Sequence, residues 1–205
     1  MTKKPTPNYE LYAITAMVLF VAIALYIEVV GMPAYEVTIF RNIYELPLAW
    51  KQAMLLITML GSSWMVIAAT LVLFVSKKTR LAAYVLGVGI TTYAVSEIGK
   101  YLVARPRPFV LLEGVVSREP FVSGMGFPSG HTAVATAVSL IILPYLPKAA
   151  RWIVPVWIFL VAFSRVYLGV HAPFDVLGGF LLGVVVSQLF WLSKPAIRKW
   201  FKRLK

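Results

Sequence analysis

The sequence predicts an all-α, polytopic membrane protein: a six-helix transmembrane bundle with both termini in the cytoplasm. Three observations carry the prediction. The 205 residues are 60% hydrophobic, with a mean hydropathy of +0.82, whereas an ordinary soluble domain is about half apolar. The apolar residues gather in six runs, each near the roughly 20 residues needed to cross a bilayer. The 20 Lys and Arg outnumber the 8 Asp and Glu, and most of them fall in short segments between alternate runs.

The first run, Leu11–Val30, is unbroken. It is long and lacks a small-residue cleavage pattern, so a retained helix is expected rather than a removed signal peptide. In the segment that follows, Val37, Phe40 and Tyr44 recur at helical spacing with Arg41 and Glu45 between them, the pattern of an interfacial amphipathic helix. Ala53–Val75 is the second run, and Lys77, Lys78 and Arg80 separate it from the third, Leu81–Val103. The fourth, Thr132–Leu146, is short, with Pro144 and Pro147 interrupting its end. The fifth, Trp152–Leu168, carries Pro155 near its start, where a missing amide proton costs least. Val176–Leu192 is the sixth. No repeat or linker divides the chain, so residues 1–205 read as a single domain, with the motif-bearing core over about 81–193.

Orientation follows from the basic residues. Lys3 and Lys4, then Lys77, Lys78 and Arg80, then Lys148 and Arg151 share one side with Lys194, Arg198, Lys199, Lys202, Arg203 and Lys205. Only Glu10 lies near them as an acid. By the positive-inside rule that side is cytoplasmic, and an even number of spans follows. Basic residues placed this way signal topology rather than a nucleic-acid footprint. The absence of cysteine excludes disulfides and thiolate ligands. Nothing in the pattern speaks to oligomeric state.

The opposite side holds three clusters. Lys100, Arg105, Pro106, Arg107 and Pro108 stand where the third helix leaves the bilayer. A lysine about a turn inside an apolar run is expensive, and guanidinium forks in a proline-held extended segment suit a phosphate; snorkelling at a helix end is the plainer alternative. Phe127, Pro128, Ser129, Gly130 and His131 open the fourth helix. Ser129 reads as its N-cap, and the free amides of a first turn attract anions; a capped start with an incidental histidine is the alternative. Ser164, Arg165, His171 and Asp175 span the fifth-to-sixth junction. His171 and Asp175 are four apart, so a helix starting near Pro173 brings the only aspartate towards the imidazole; a purely structural His–Asp pair is the alternative. Both histidines of the chain fall in these clusters.

Together, Lys-x6-Arg-Pro (Lys100 to Pro108), Pro-Ser-Gly-His (Pro128 to His131) and Ser-Arg-x5-His-x3-Asp (Ser164 to Asp175) resemble the tripartite signature of the type 2 phosphatidic acid phosphatase superfamily, in order, spacing and residue type. The resemblance implies a membrane enzyme that hydrolyses a lipid phosphomonoester or diphosphate: phosphatidylglycerophosphate, phosphatidic acid or undecaprenyl diphosphate. Lipid A phosphatases and lipid phosphotransferases share the signature. It implies His171 as nucleophile, Asp175 as its orienting carboxylate, and His131 as the acid that protonates the leaving group and then activates water. Lys100, Arg107 and Arg165 would hold the phosphoryl oxygens, with Ser129 and the Gly130 amide completing the cradle. No metal and no cofactor are expected. The partner is a lipid phosphate in the bilayer of the cell membrane, met at the periplasmic or exterior face. Arg105 is open between a further phosphate contact and another role, and Glu97 is expected to pair with Lys100.

Three competing readings make different demands. A two-His, one-carboxylate metal site is opposed by three neighbouring cations. A serine hydrolase built on Ser129 leaves those cations without a role. A lipid or anion carrier gives His171 and Asp175 none.

Overall fold

The computed structural model describes residues 8–203, with side chains through residue 193. The basic residues Lys3 and Lys4 and the side chains of the basic tail from Lys194 onward lie outside this description.

All regular structure among the described residues is helical. The elements are α1 (Tyr9–Val30), α2 (Ala34–Tyr44), α3 (Lys51–Leu60), α4 (Ser63–Val75), α5 (Thr79–Val103), the single turn α6 (Pro108–Leu111), α7 (Gly130–Ile142), α8 (Ile153–Tyr167) and α9 (Pro173–Arg203). Four helical stretches are long and apolar enough to cross a membrane: Tyr9–Val30, Thr79–Leu111, Lys148–Tyr167 and Pro173–Ser193. The second predicted run is not one straight helix. It breaks between α3 and α4 with a bend of 56°, and the pair counts as a fifth span if it crosses as one. The fourth predicted run, α7, is shorter than a full span even with the tight turn Leu143–Tyr145 that Pro144 enters. Four or five candidate spans thus stand against the six expected, because a bend divides α3 from α4 and Pro144 shortens the α7 stretch.

At the centre α7 is the most enclosed element, wrapped by α9, α5 and α8. Its Ala133, Val134, Ala137 and Ile141 pack with Val85 and Val88 of α5, Val66 of α4, and Leu182 and Val186 of α9. Lipid tails are as apolar as leucine, so helices in a bilayer gain little from hydrophobicity and associate by close packing of small residues. Gly179 and Gly183 of α9 serve that purpose. A Cβ at Gly183 would stand 2.5 Å from the Ala133 carbonyl, and one at Gly179 would collide with the Ser129 carbonyl. Outside this core, α1 lies along α9 and otherwise presents apolar side chains such as Ile14, Val18, Leu25 and Val29 outwards, as a lipid-facing helix does.

One end of the bundle collects the chemistry. There the C-terminal ends of α1, α5 and α8 meet the N-terminal ends of α7 and α9, with α2 and the 112–129 loop across them. The predicted interfacial helix is α2, but it is more than a surface element. Its face of Glu36, Phe40 and Tyr44 turns inwards: Phe40 packs with Val115 and Val166, and the Tyr44 hydroxyl both donates to the Val116 carbonyl and accepts from its amide at 3.1 Å.

Candidate active site

His171 is placed by the way α8 ends. Gly169 takes a positive φ of 75°, a conformation that costs any other residue its Cβ contact. Its amide returns to the Val166 carbonyl (2.9 Å) while the amide of Val170 returns to that of Arg165 (3.3 Å), the hydrogen-bond pair that closes a helix end. Pro173 then opens α9, so Asp175 stands in its first turn. The imidazole Nδ1 of His171 lies 3.6 Å from Asp175 Oδ2, close enough for a charge pair and longer than a hydrogen bond. Nε2 faces Arg107, 3.4 Å from its Nη1. The carboxylate thus stands on the Nδ1 side of the ring and Arg107 on the Nε2 side.

A cavity of about 390 Å³ opens beside His171. His171, His131, Lys100, Arg107, Arg165 and Gly130 all contribute to its wall. Three segments, each more than 20 residues from the next in sequence, meet there. Lys100 pairs with Glu97 through a 2.6 Å contact, as the spacing predicts. Arg107 is buried and held by three backbone carbonyls: Gly124 (3.0 Å), Ser123 (2.9 Å) and Val170 (2.8 Å). Arg165 is likewise buried. It donates to the Thr58 hydroxyl and pairs with Glu119 at 2.8 Å. Fixed in this way, the guanidinium groups lose little freedom on meeting an anion.

Ser129 caps α7 by position only. Its hydroxyl accepts from Thr132 Oγ1 (3.1 Å) instead of from a first-turn amide, and its own amide donates to the Asp175 carbonyl (2.9 Å). That bond leaves the Ser129 proton free to donate, but Ser129 is buried and does not line the cavity, whereas Gly130 lies in its wall.

Arg105 has a different place from Arg107. It turns away from the cavity, between two carboxylates: Nη1 donates to Asp175 Oδ1 (2.8 Å), and Nη2 to Glu36 Oε2 (2.5 Å). Glu36 Oε1 also takes the Phe174 amide (2.8 Å). Burial pushes the Glu36 carboxyl up from the ordinary carboxylate range, against the pull of Arg105 and the Phe174 amide. Burial, and then Arg107, Arg165 and Lys100, hold the His171 imidazole well below its ordinary value. Such a ring is neutral and nucleophilic near neutral pH.

Sequence reasoning did not find Glu36, Glu119 or Thr58. Each is an ordinary residue type in a segment without a motif, and only contacts spanning 69 residues or more of chain or a cavity wall mark Glu36 and Thr58 and Glu119. A larger groove, of about 810 Å³, runs between α7, α8 and α9 but is lined almost wholly by apolar side chains such as Ile158, Phe159, Val176 and Leu177. It offers no polar group for catalysis beyond Arg151 at its far end.

The PAP2 superfamily model matches residues 80–199. An undecaprenyl-diphosphatase of Sulfolobus acidocaldarius is 30% identical over 179 residues, covering 84% of this chain and 86% of its own length. A phosphatidylglycerophosphatase B of Bacillus subtilis is 45% identical over 82 residues, 35% of this chain and 39% of that protein. Among solved structures, a transmembrane PAP2-type phosphatidylglycerolphosphate phosphatase from Bacillus subtilis superposes with a TM-score of 0.76 at 28% identity, covering 90% of this chain and 96% of that one.

Proposed function

The chain belongs to the PAP2 superfamily as a membrane lipid phosphatase, undecaprenyl-diphosphatase- or phosphatidylglycerophosphatase-like, and from that premise we propose that it cleaves its substrate through a phosphohistidine at the outer face of the cytoplasmic membrane. The observation that carries this reading is the single cavity in which His171, His131 and three basic side chains meet, with Asp175 behind His171.

In the proposed reaction Nε2 of His171 attacks phosphorus and forms a P–N bond as the P–O bond to the lipid, or to its inner phosphate, breaks. His131 gives its proton to the departing oxygen. Water then attacks the phosphohistidine and yields a proton to His131, and the P–N bond breaks to release inorganic phosphate and neutral His171. Asp175 stabilises the positive charge that the ring acquires on attack. Lys100, Arg107 and Arg165 neutralise the equatorial oxygens, where phosphoryl transfer concentrates its charge, and the Gly130 amide at the start of α7 adds a donor. The basic loops support an orientation with this end of the bundle outside and both termini inside, with α7 and the α3–α4 pair completing six crossings.

The test is phosphate release by the purified protein in detergent with excess chelator. Phosphatidylglycerophosphate, phosphatidic acid and undecaprenyl diphosphate are offered side by side, with His171→Ala beside the wild type. Metal-independent release that disappears in His171→Ala is expected, and the ranking of the lipids names the substrate. Release that survives His171→Ala, or that stops with chelator, overturns the mechanism.

A further inference from the structure

Behind the nucleophile stands a buried charge cluster of which the proposed reaction uses only Asp175. Glu36, Arg105 and Asp175 are each less than 5% exposed. They come from α2, from the turn after α5 and from the first turn of α9. The two oxygens of Asp175 have separate partners: Oδ1 accepts from Arg105 (2.8 Å), and Oδ2 accepts from the Ala172 amide (2.8 Å) and faces His171 Nδ1 (3.6 Å). Arg105 in turn is held from behind. Its fork donates to both oxygens of Glu36 and to the Gly31 carbonyl (3.2 Å). Glu36 reaches Asp175 by a second route as well, through the amide of the adjacent Phe174 (2.8 Å).

We infer that Glu36 and Arg105 are positioning residues for the reaction proposed above, setting through Asp175 the orientation of the His171 ring. The physical reason is competition for one carboxylate. Arg105 has two bidentate partners within reach, and a guanidinium takes a carboxylate fork-to-fork when it can. While Glu36 occupies the fork, Arg105 spends a single N–H on Asp175 and leaves Oδ2 to His171. Without the Glu36 charge, Arg105 is free to take both Asp175 oxygens and draw the carboxylate away from the ring. The acid in α2, more than 130 residues before the nucleophile, thereby controls the ring without touching the substrate. It also ties α2 to the start of α9, so the outer helix and the catalytic turn keep one geometry.

The experiment measures kcat and KM with the lipid phosphate that the wild type turns over fastest, together with the melting temperature of each purified variant. Glu36→Gln is expected to lower kcat about 10- to 100-fold, by analogy with the loss when the outer partner of a metal-ligating histidine is removed, with KM within about twofold. In an Asp175→Asn background, where the carboxylate under competition is gone, the same substitution should cost less than about threefold, since residues acting in series are not additive. Arg105→Lys keeps the charge but not the fork, and it should show the same kcat-only loss. Three results overturn the inference: wild-type kcat in Glu36→Gln or Arg105→Lys; a loss carried by KM; or an equal loss in both Asp175 backgrounds, which marks a structural role. If Glu36→Gln does not fold, Arg105→Lys decides. Wild-type turnover that depends on His171 separates failure here from failure of the proposed function.

Discussion

Neither histidine carries its role in isolation; the neighbours decide it. His171 is buried among cations, so its neutral form persists to lower pH than that of a free imidazole, whose value is about 6.5. A base with a lowered pKa is unprotonated above that value, so activity is lost only as pH falls through it. The acid limb of kcat/KM due to His171, which reports the free enzyme, should therefore lie below pH 6.5. A limb above 6.5 that moves with substitutions of Arg107 contradicts the burial argument. His131 has a separable part. Its proton matters in proportion to the basicity of the leaving oxygen, so His131→Ala should lose about 10²- to 10⁴-fold in kcat/KM, which covers phosphohistidine formation and not its later hydrolysis, on an alkoxide-leaving lipid phosphate. Much less should be lost on p-nitrophenyl phosphate, whose leaving group needs no proton. Equal losses on both substrates would remove the general-acid assignment. The sequence made these histidines and the basic residues around them legible because their spacings form motifs. It left the role of Arg105 open while assigning Arg107, two residues on, to the phosphate. One is drawn to carboxylates and the other to loop carbonyls and the cavity, and both sets of partners are distant in sequence.

Helices position the site through their ends and their smallest residues. The start of α9 carries Asp175, and its later turns lie against α7 through Gly179 and Gly183, so the first turn of α7, with Gly130 and His131, is held at the right depth. Gly183→Leu should force α9 from the Ala133 carbonyl. Overpacking of this kind costs about 1–3 kcal/mol, so the melting temperature in detergent should fall and phosphate release with it. An unchanged melting temperature would mean that the α7–α9 contact is looser than it appears in this packing. Element existence was readable from apolar runs, and the amphipathic α2 from its period. The α3–α4 break was not read from the apolar run, whose mean hydropathy does not register a bend of 56°; it falls at Gly61, Ser62 and Ser63, the kind of Gly/Ser run where helices bend. Nor did the period of α2 reveal that Glu36 belongs on its inward face. A carboxylate turns inwards only where a partner waits, and Arg105 arrives from 69 residues away.

At the scale of the whole molecule, orientation is the open physical variable, and the absence of cysteine makes it measurable. Val116 lies exposed in the loop over the site, and Lys148 begins the turn before α8 at the opposite end. With the orientation proposed from the basic loops, Val116→Cys in intact cells should react with a membrane-impermeant maleimide, and Lys148→Cys only after permeabilisation. The reverse pattern would place the cavity in the cytoplasm and overturn the outer-face proposal.

Composition, hydropathy runs and three motifs were enough by themselves to establish a helical membrane protein of the PAP2 superfamily, because apolar length and residue spacing are local properties written along the chain. The tertiary structure alone decided the outer partners: Glu36 on Arg105, Glu119 and Thr58 on Arg165, Thr132 on Ser129. A buried polar group accepts whichever partner folding brings within hydrogen-bond reach, since leaving it unpaired costs about 1–3 kcal/mol. That partner is chosen by packing, not by distance along the sequence.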